Sequence, residues 1–209
     1  VHAPAARVLV VGTSEVYGSI EPGTRASEDT PFRPVSPYAL SKAAAEQVAR
    51  AYVETHALDV VCTRSFGHTG PGQSPRFVVP SLAQQIAIIE AGRAEPVLSV
   101  GNLDVTRDLS DVRDMVQGYC ALLERGKRGV AYNLCRGEGA NLRDVVAELA
   151  GMASLEIRIE VDPARLRPAD VPWLVGDATL VARDTGWRAE LPLSKTLRDV
   201  LDEWRRLSA

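Results

Sequence analysis

The pattern of apolar and polar positions predicts alternating strands and helices from the first residues onward. Residues 7–12 (RVLVVG) form an unbroken Val and Leu run closed by glycine, typical of a strand buried on both faces of a parallel sheet. Ser36 and Pro37 then open an Ala-rich stretch to about His56, predicted as a helix with Ser36 as its N-cap. Residues 59–64 (DVVCTR) predict a second buried strand. This order predicts a right-handed parallel βαβ unit.

Shorter periodic segments continue this pattern through the rest of the chain. Residues 68–76 predict a Gly/Pro-rich loop, and Asp111 and Asn141 are suited to cap the helices that follow them. The other predicted helices cover residues 79–91, 111–124, 142–153, 178–184 and 194–207. The other predicted strands cover residues 97–100, 106–109, 130–134 and 157–161. We therefore expect an α/β chain.

Composition narrows the classes of function. With 209 residues, 45% hydrophobic, and a net charge of -3, the chain has the make-up of a soluble globular protein without broad attraction to nucleic acid or anionic membranes. Cys62, Cys120 and Cys135 are widely spaced in apolar surroundings, which favours buried reduced thiols over a disulfide or a metal site. Neither a membrane span nor a secretory signal is recognised, so we expect a cytoplasmic protein.

Two residues near the start of the long helix carry candidate chemistry. Tyr38 and Lys42 are four positions apart, so their side chains emerge on the same helix face. An ammonium beside a phenol favours the phenolate, which would let Tyr38 exchange a proton with a carbinol or carbonyl oxygen. The alternative is a half-exposed tyrosine and a solvated lysine on an amphipathic helix, and an isolated Tyr-x-x-x-Lys pattern favours that alternative.

Polar residues also follow the first predicted strand. Thr13, Ser14 and Glu15 lie at its carboxyl end, where ligands bind in open α/β sheets. A hydroxyl there could bond the substrate oxygen that Tyr38 protonates. Alternatively, Thr13 and Ser14 serve the turn itself, and Glu15 is either a solvated loop acid or a base aimed at a sugar.

Seven segments in a fixed order resemble a known family. The segments are VVGTSEVYG, SPYALSK, TRSFGHTGPGQSPRFVVP, VGNLDVTRDLSDVRDM, YNLCRGEG, LRPADVPWLVGD and TGW. Together they are similar to the extended short-chain dehydrogenase/reductases, and within them to GDP-4-keto-6-deoxy-D-mannose reductases and GDP-mannose 4,6-dehydratases. The resemblance implies a partial Rossmann-like doubly wound parallel sheet, residues 1–76, interleaved with a smaller C-terminal α+β substrate-binding region, residues 77–209. Because HTGPGQS and DVRDM favour the reductase branch, we expect reduction of GDP-4-keto-6-deoxy-D-mannose at C4.

The resemblance also implies roles for individual residues. Tyr38 would be the general acid or base, Lys42 would stabilise its phenolate and bond the nicotinamide ribose, and Thr13 would orient the keto oxygen. The implied catalytic residues are Thr13, Glu15, Tyr38 and Lys42. The implied residues for the cofactor, NADP or NAD, are Tyr38, Lys42, Arg64, Phe66 and His68. The implied GDP-sugar residues are Ser14, Gln73, Arg76, Val78, Arg107 and Arg167. Guanidinium groups match phosphate oxygens in a bidentate way, although a surface salt bridge is the alternative for each arginine.

Two departures keep other functions open. Gly67 stands where the family usually has Asn, and a G-x-x-G-x-x-G turn after an N-terminal strand is not found in the sequence. The expectations are therefore a homodimeric reductase, with a complementing N-terminal chain as a further partner, and a bare flank along the first strand. A dehydratase or epimerase is the enzymatic alternative, because the resemblance implies that a Glu at position 15 abstracts the sugar C5 proton. A truncated, non-catalytic nucleotide-sugar-binding fragment is the other.

Overall fold

The computed structural model describes residues 6–166 and 171–208, which form strands and helices in alternation. The strands are β1 (Val8–Thr13), β2 (Val60–Ser65), β3 (Gly67–Thr69), β4 (Val97–Val100), β5 (Thr106–Asp111), β6 (Ala131–Leu134), β7 (Gly139–Asn141), β8 (Arg158–Val161) and β9 (Trp173–Leu174). The helices are α1 (Pro37–His56), α2 (Val78–Glu90), α3 (Val112–Arg125), α4 (Leu142–Gly151), α5 (Thr179–Thr185) and α6 (Leu193–Ser208).

The first part of the fold is a parallel sheet with helices packed on both faces. Its strand order is β1-β2-β6, with Val10 beside Cys62 and Cys62 beside Ala131. Val10 and Cys62 face α1, where they pack near Ala49, whereas Leu9 and Val61 face the opposite side, toward α3 and α5. Because consecutive strand residues enter two different apolar layers, the strands are continuous hydrophobic runs. The prediction of a partial doubly wound parallel sheet is confirmed.

A second core lies beside this sheet. Buried residues of α2, α4 and α6 pack with those of β4 and β5 into one apolar cluster, whose largest members include Ile86, Leu98, Leu149, Leu197 and Leu201. The chain passes between the two cores more than once, because β6, α3 and α5 follow residue 77 yet pack in the sheet layers. The predicted boundary between residues 76 and 77 stays a prediction.

The helix starts follow the predicted capping residues. Ser36 Oγ accepts a hydrogen bond from Ala39 N at 3.1 Å, with Pro37 in the first turn of α1. Asp111 and Asn141 cap α3 and α4 in the same way, each accepting from the backbone N–H two residues later. A polar side chain at each N-cap satisfies an N–H group that the helix itself leaves free. The predicted starts of these three helices are confirmed.

Short strands account for the main differences from the predictions. The predicted loop at residues 68–76 is wrong at its start, because β3 pairs with β5 in parallel there. The strands β7 and β9 also join β5, and neither was predicted. Within the described residues, the side of β1 away from β2 has no strand partner, and Val8 and Val11 are exposed. Among the described helices, none is long and apolar enough to cross a membrane.

Candidate active site

Tyr38 and Lys42 lie in the first two turns of α1, beside β1. The Lys42 Nζ atom is 6.0 Å from the centre of the Tyr38 ring and donates a hydrogen bond to Val11 O at 3.0 Å. A lysine ammonium has three hydrogens, so two remain for other acceptors. Tyr38 is accessible to solvent, since this residue is 51% exposed. The sheet therefore holds the ammonium close to a phenol that a ligand can reach.

The polar residues after β1 form a compact turn. Thr13 is the N-cap of a 3₁₀ turn, Ser14–Tyr17, and its Oγ1 atom accepts a hydrogen bond from Glu15 N at 3.3 Å. Thr13 and Ser14 are buried, whereas Glu15 is exposed. Thr13 therefore stabilises the turn, which is one of the two roles expected from its sequence position. Contacts of Thr13, Ser14 and Glu15 with substrate stay predictions, supported by their position just beyond Val11.

Arg64 is held inside the protein. Its guanidinium donates to both carboxylate oxygens of Glu46, at 3.0 and 2.6 Å, to Tyr17 Oη at 2.9 Å and to Glu28 O at 2.6 Å. These bonds use four of the five guanidinium hydrogens. The side chains of Arg64 and Glu46 are only 5% and 4% exposed. The structure therefore shows a structural role for the Arg64 guanidinium, and its contact with the cofactor stays a prediction.

Tyr17 extends the buried network to β6. Its hydroxyl donates to Asn133 Oδ1 at 2.6 Å, and Asn133 N in turn donates to Glu28 Oε1 at 2.8 Å. Burial raises the pKa of Tyr17 to about 12, so this phenol keeps its proton at neutral pH. Burial also raises the pKa of Glu28. Tyr17 is therefore a structural phenol, in contrast to the accessible Tyr38.

This buried network was not predicted, although one feature of the sequence points to it. Ala39, Ala43 and Ala49 form the buried stripe of α1, and Glu46 falls at the helical spacing within that stripe. A carboxylate on a buried helix face requires a partner. The sequence does not show that the partner is Arg64, because helix and strand meet only in the fold.

The segment after β2 packs its predicted residues against one another. Phe66 is buried, with its ring centre 6.2 Å from that of Tyr17. His68 Nδ1 lies 3.0 Å from Phe66 O, and Gln73 Nε2 donates to His68 O at 3.1 Å. His68 is thus a hydrogen-bonded histidine, and the Gln73 amide closes the loop. Direct ligand contacts of Phe66, His68 and Gln73 stay predictions.

Gly67 lies where the backbone of β5 comes close. A Cβ atom at this position would stand 2.8 Å from Asp108 O, closer than side-chain carbons approach backbone oxygens. An asparagine here would require β3 and β5 to move apart. The departure from the family pattern is therefore matched by the packing of this chain.

A cavity of about 620 Å³ opens beside α2, between β4, β5 and residues 164–166. Three of the predicted substrate residues, Arg76, Val78 and Arg107, line it. A further arginine, Arg165, also lines the cavity, and its Nε donates to Ser99 Oγ at 3.0 Å. Arg165 was not predicted because it ends a three-residue 3₁₀ turn, Pro163–Arg165, which is too short to show a period. Arg167 lies outside the described residues.

The start of α2 adds to the positive character of this cavity. Its N-cap, Phe77, has no side chain that could bond the first N–H groups, and both Phe77 and Val78 line the cavity. A helix N-terminus carries partial positive charge and favours anions. Together with the three arginines, it makes the cavity suited to a phosphate-bearing ligand.

Asp108 connects the two cores from the inner side of β5. Its carboxylate accepts hydrogen bonds from Arg136 N and Gly137 N, both at 2.9 Å, and from Gly176 N at 3.2 Å. Burial raises the pKa of Asp108 to about 6, while the three N–H groups act in the opposite direction. One carboxylate thus joins the loop after β6 to the segment after β9.

The three cysteines are free thiols in this structure. Cys62 and Cys135 are buried free thiols, but Cys120 is an exposed free thiol, so the prediction of three buried thiols is wrong at this position. The helix α3 turns Cys120 outward from the core that Ala121 and Leu122 enter. Within residues 6–166 and 171–208, no cluster of three or more His, Cys, Asp or Glu side chains could hold a metal ion.

Comparisons with known proteins agree with this arrangement. The family model described as GDP-mannose 4,6 dehydratase matches residues 1–200. The GDP-6-deoxy-D-mannose reductase of Pseudomonas aeruginosa is 36% identical over 197 residues, which cover 94% of this chain and 65% of the relative. The GDP-mannose 4,6 dehydratase 2 of Arabidopsis thaliana is 31% identical over 194 residues, which cover 92% of this chain and 51% of the relative.

A solved structure gives the same result. The structure of RMD from Pseudomonas aeruginosa complexed with NADPH has a TM-score of 0.90 and 34% identity, covering 95% of this chain and 66% of that one. The chain spans 51–65% of the length of the two curated relatives described above. The family model, these relatives and the shared fold show that the chain belongs to the GDP-mannose 4,6-dehydratase family.

Proposed function

We propose that this chain carries the proton-transfer residues and the nucleotide-sugar pocket of an NAD(P)-dependent reductase. Its substrate would be GDP-4-keto-6-deoxy-D-mannose, reduced at C4 to a GDP-6-deoxyhexose. The observation that carries the proposal is the accessible Tyr38 phenol beside the Lys42 ammonium, which Val11 O anchors at the carboxyl end of β1. The relative from Pseudomonas aeruginosa, a GDP-6-deoxy-D-mannose reductase, supports the choice of reaction.

The donor chemistry around Lys42 fits the ribose end of a nicotinamide cofactor. The two ammonium hydrogens not used by Val11 O are suited to ribose hydroxyls, and Tyr38 lies on the same helix face. When bound, the cofactor supplies hydride to C4 of the sugar.

In this reaction, Tyr38 donates its hydroxyl proton to the C4 oxygen as the C4–H bond forms. The carbonyl becomes a secondary alcohol, and the phenolate left on Tyr38 is stabilised by the nearby Lys42 ammonium and then reprotonated from water. Thr13, at the end of β1, orients the C4 oxygen through its hydroxyl. The protein thus supplies the proton and the geometry.

The arginine-lined cavity is the proposed site for the GDP portion. Arg76, Arg107 and Arg165 and the uncapped start of α2 present positive charge to the same space. The volume of about 620 Å³ is within the range of small-ligand pockets. This region binds the nucleotide, while α1 and β1 carry the reaction.

A second candidate reaction is the dehydration of GDP-mannose. The exposed Glu15, two residues after Thr13, favours it because a carboxylate there can abstract a sugar proton. Glu15→Gln separates the two reactions. It would abolish dehydration of GDP-mannose but leave reduction of the 4-keto sugar within about threefold of wild type.

The proposal also covers the oligomeric state and the cellular location of the protein. Leu40, Val48 and Tyr52 are exposed apolar residues of α1, which supports a homodimer formed through this helix. Sedimentation velocity would show a dimer, and a concentration-independent monomer would contradict it. The free thiols support a cytoplasmic location.

The test combines binding with turnover. Purified chain is titrated with GDP-mannose, NADPH and NADH, and reduction of the 4-keto sugar is followed by NAD(P)H absorbance. Tyr38→Phe should lower kcat by about 10²- to 10⁴-fold, because the proton donor is lost, and leave GDP-mannose affinity unchanged. The matched control is Tyr52→Phe, an exposed tyrosine on the same helix. Equal turnover by both variants would contradict the proposal, and GDP-mannose binding without turnover would favour the non-catalytic alternative.

A further inference from the structure

The face that α1 buries against the sheet is smooth from Ala39 to Ala49, and the half-buried Val53 packs against the sheet only near the end of the helix. Its buried residues are Ala39, Ala43, Glu46 and Ala49, so every buried side chain except Glu46 ends at a methyl group. Methyl groups allow helix and sheet to approach closely. They interdigitate little, however, and close interdigitation is what gives packed cores a single arrangement. Alanine packing therefore fixes the distance of α1 from the sheet better than its rotation or its axial position.

The Glu46 carboxylate fixes the rotation and axial position of α1, which alanine packing leaves undefined. It meets Arg64 of β2 in a two-pronged ion pair, Nε to Oε2 at 3.0 Å and Nη2 to Oε1 at 2.6 Å. A bidentate arginine–carboxylate pair requires both planar groups in a defined orientation. Since Arg64 comes from a central strand with both neighbours paired, the position of Glu46 is tied to the rigid part of the fold.

The same guanidinium also holds the turn after β1. It donates to Tyr17 Oη at 2.9 Å and to Glu28 O at 2.6 Å, and Tyr17 ends the turn that contains Ser14 and Glu15. The Phe32 and Tyr17 ring centres lie 4.6 and 5.3 Å from the guanidinium carbon. One buried cation therefore joins the helix of Tyr38 and Lys42 to the turn that continues Thr13.

We infer that Glu46 and Arg64 are positioning residues for the reaction, an inference that rests on the proposed function. Lys42 lies one helical turn before Glu46, and Tyr38 lies two turns before it. A small rotation of α1 would carry the phenol and the ammonium away from the carboxyl end of β1. Replacing a buried ion pair by apolar side chains of similar size is often neutral for stability. The specific contribution of this pair is therefore the orientation of α1 relative to β2.

The experiment replaces both partners together. The double variant Glu46→Met/Arg64→Met keeps apolar volume at both positions and leaves no unpaired buried charge. We expect kcat for the 4-keto sugar to fall about 100-fold, in line with the effect of a displacement of about 1 Å. The KM for the GDP-sugar should change less than about threefold, because the GDP pocket is built on α2, β4 and β5.

A second ion pair with the same geometry provides the matched control. Arg205 of α6 also contacts both oxygens of Glu90, at 2.8 Å each, in a partly exposed pair between α2 and α6. Glu90→Met/Arg205→Met should leave kcat within about twofold of wild type. Arg64→Lys, which keeps the charge but loses the planar fork, should retain more activity than the double variant. A kcat for Glu46→Met/Arg64→Met within about threefold of wild type would overturn the inference.

A spectroscopic readout keeps the test separate from the proposed function. The chain is labelled with 3-fluorotyrosine, and the Tyr38 resonance is identified by its loss in Tyr38→Phe. We expect this resonance to move in Glu46→Met/Arg64→Met and to stay in place in Glu90→Met/Arg205→Met. If the wild-type chain shows no turnover, the proposed function fails and the resonance alone decides. An unmoved Tyr38 resonance in the Glu46→Met/Arg64→Met variant would then refute the positioning role.

Discussion

The helix that carries Tyr38 and the helix that borders the cavity bury their inner faces in different ways. The buried residues of α1 are alanines and one charged glutamate, whereas those of α2 include Val79, Leu82, Ile86 and Ile89. The first face depends on a directed polar contact with β2. The second interlocks large branched side chains with α4 and α6.

In the proposed reaction, this difference follows from the task that each region would have. Proton transfer requires that Tyr38 and Lys42 hold one orientation, and hydrogen bonds to Arg64 are directional in a way that dispersion contacts are not. A pocket for a nucleotide requires stable walls around a volume, which an apolar core provides. The molecule therefore combines a polar contact that sets orientation with an apolar core that sets stability.

The largest expected effect comes from breaking the ion pair on one side only. Arg64→Met leaves the Glu46 carboxylate buried without its partner and should lower the free energy of unfolding by about 3–5 kcal/mol. Glu46→Met/Arg64→Met should recover most of that loss, because the unpaired charge is removed with the cation. Urea unfolding at pH 7 measures both variants.

The apolar core offers the comparison for this experiment. Leu149 is fully buried in the C-terminal cluster. Leu149→Ala should lower the free energy of unfolding by about 2–5 kcal/mol, because a cavity replaces the leucine side chain. Unlike the ion pair, this loss has no single compensating partner. A fall of less than about 1 kcal/mol in the free energy of unfolding of Arg64→Met would mean that water reaches Glu46. It would contradict the contrast between the polar contact of α1 and the apolar C-terminal core.

A smaller effect concerns Asp108, which lies where the two regions meet. Because burial raises its pKa to about 6 in the folded chain, the native state binds this proton more tightly than the unfolded chain. The resulting stability is present below about pH 4 and is lost as the pH rises through about 6. The loss is at most about 3 kcal/mol.

Urea unfolding from pH 4 to pH 7 tests this prediction. The wild-type stability minus that of Asp108→Asn should fall as the pH rises, which removes the contributions of other acids. A difference that rises with pH would mean that the N–H groups of Arg136, Gly137 and Gly176 outweigh the effect of burial.

The smallest expected effect sharpens the view of the pocket. Arg165→Ala should weaken GDP binding about tenfold, as expected for loss of one partly exposed phosphate contact, and leave stability within about 0.5 kcal/mol. Isothermal titration with GDP measures the affinity. Arg158→Ala is the control, since Arg158 is an exposed arginine of β8 outside the cavity lining. Equal affinities for the two variants would remove Arg165 from the site.

Much of the fold could be predicted because its long elements carry local signals. The α1 helix begins at the Ser36 cap and Pro37, and the bounds of β4 match the predicted range of residues 97–100. Capping chemistry and apolar periodicity act over a few residues, so the sequence contains them directly. The pairing of Tyr38 with Lys42 was predictable for the same reason, since both stand on one helix.

The remaining features depend on contacts between distant segments. The strands β3 and β9 have three and two residues, too few to show a period, and form only because β5 offers a partner. A cofactor role for Arg64 rests on the family resemblance alone. Its partner Glu46 lies on a different element, and only the fold shows that the guanidinium is already engaged.

The span of the Glu46–Arg64 pair along the chain has a consequence for the order of folding. These residues are 18 positions apart, whereas the bond between Tyr17 and Asn133 joins residues 116 positions apart. Closing the longer loop costs about 1.6 kcal/mol more in chain entropy. We therefore expect α1 and β2 to associate before β6 docks. Pulse-labelled hydrogen exchange would then protect the Thr63 amide, which points toward β1, earlier than the Leu134 amide of β6.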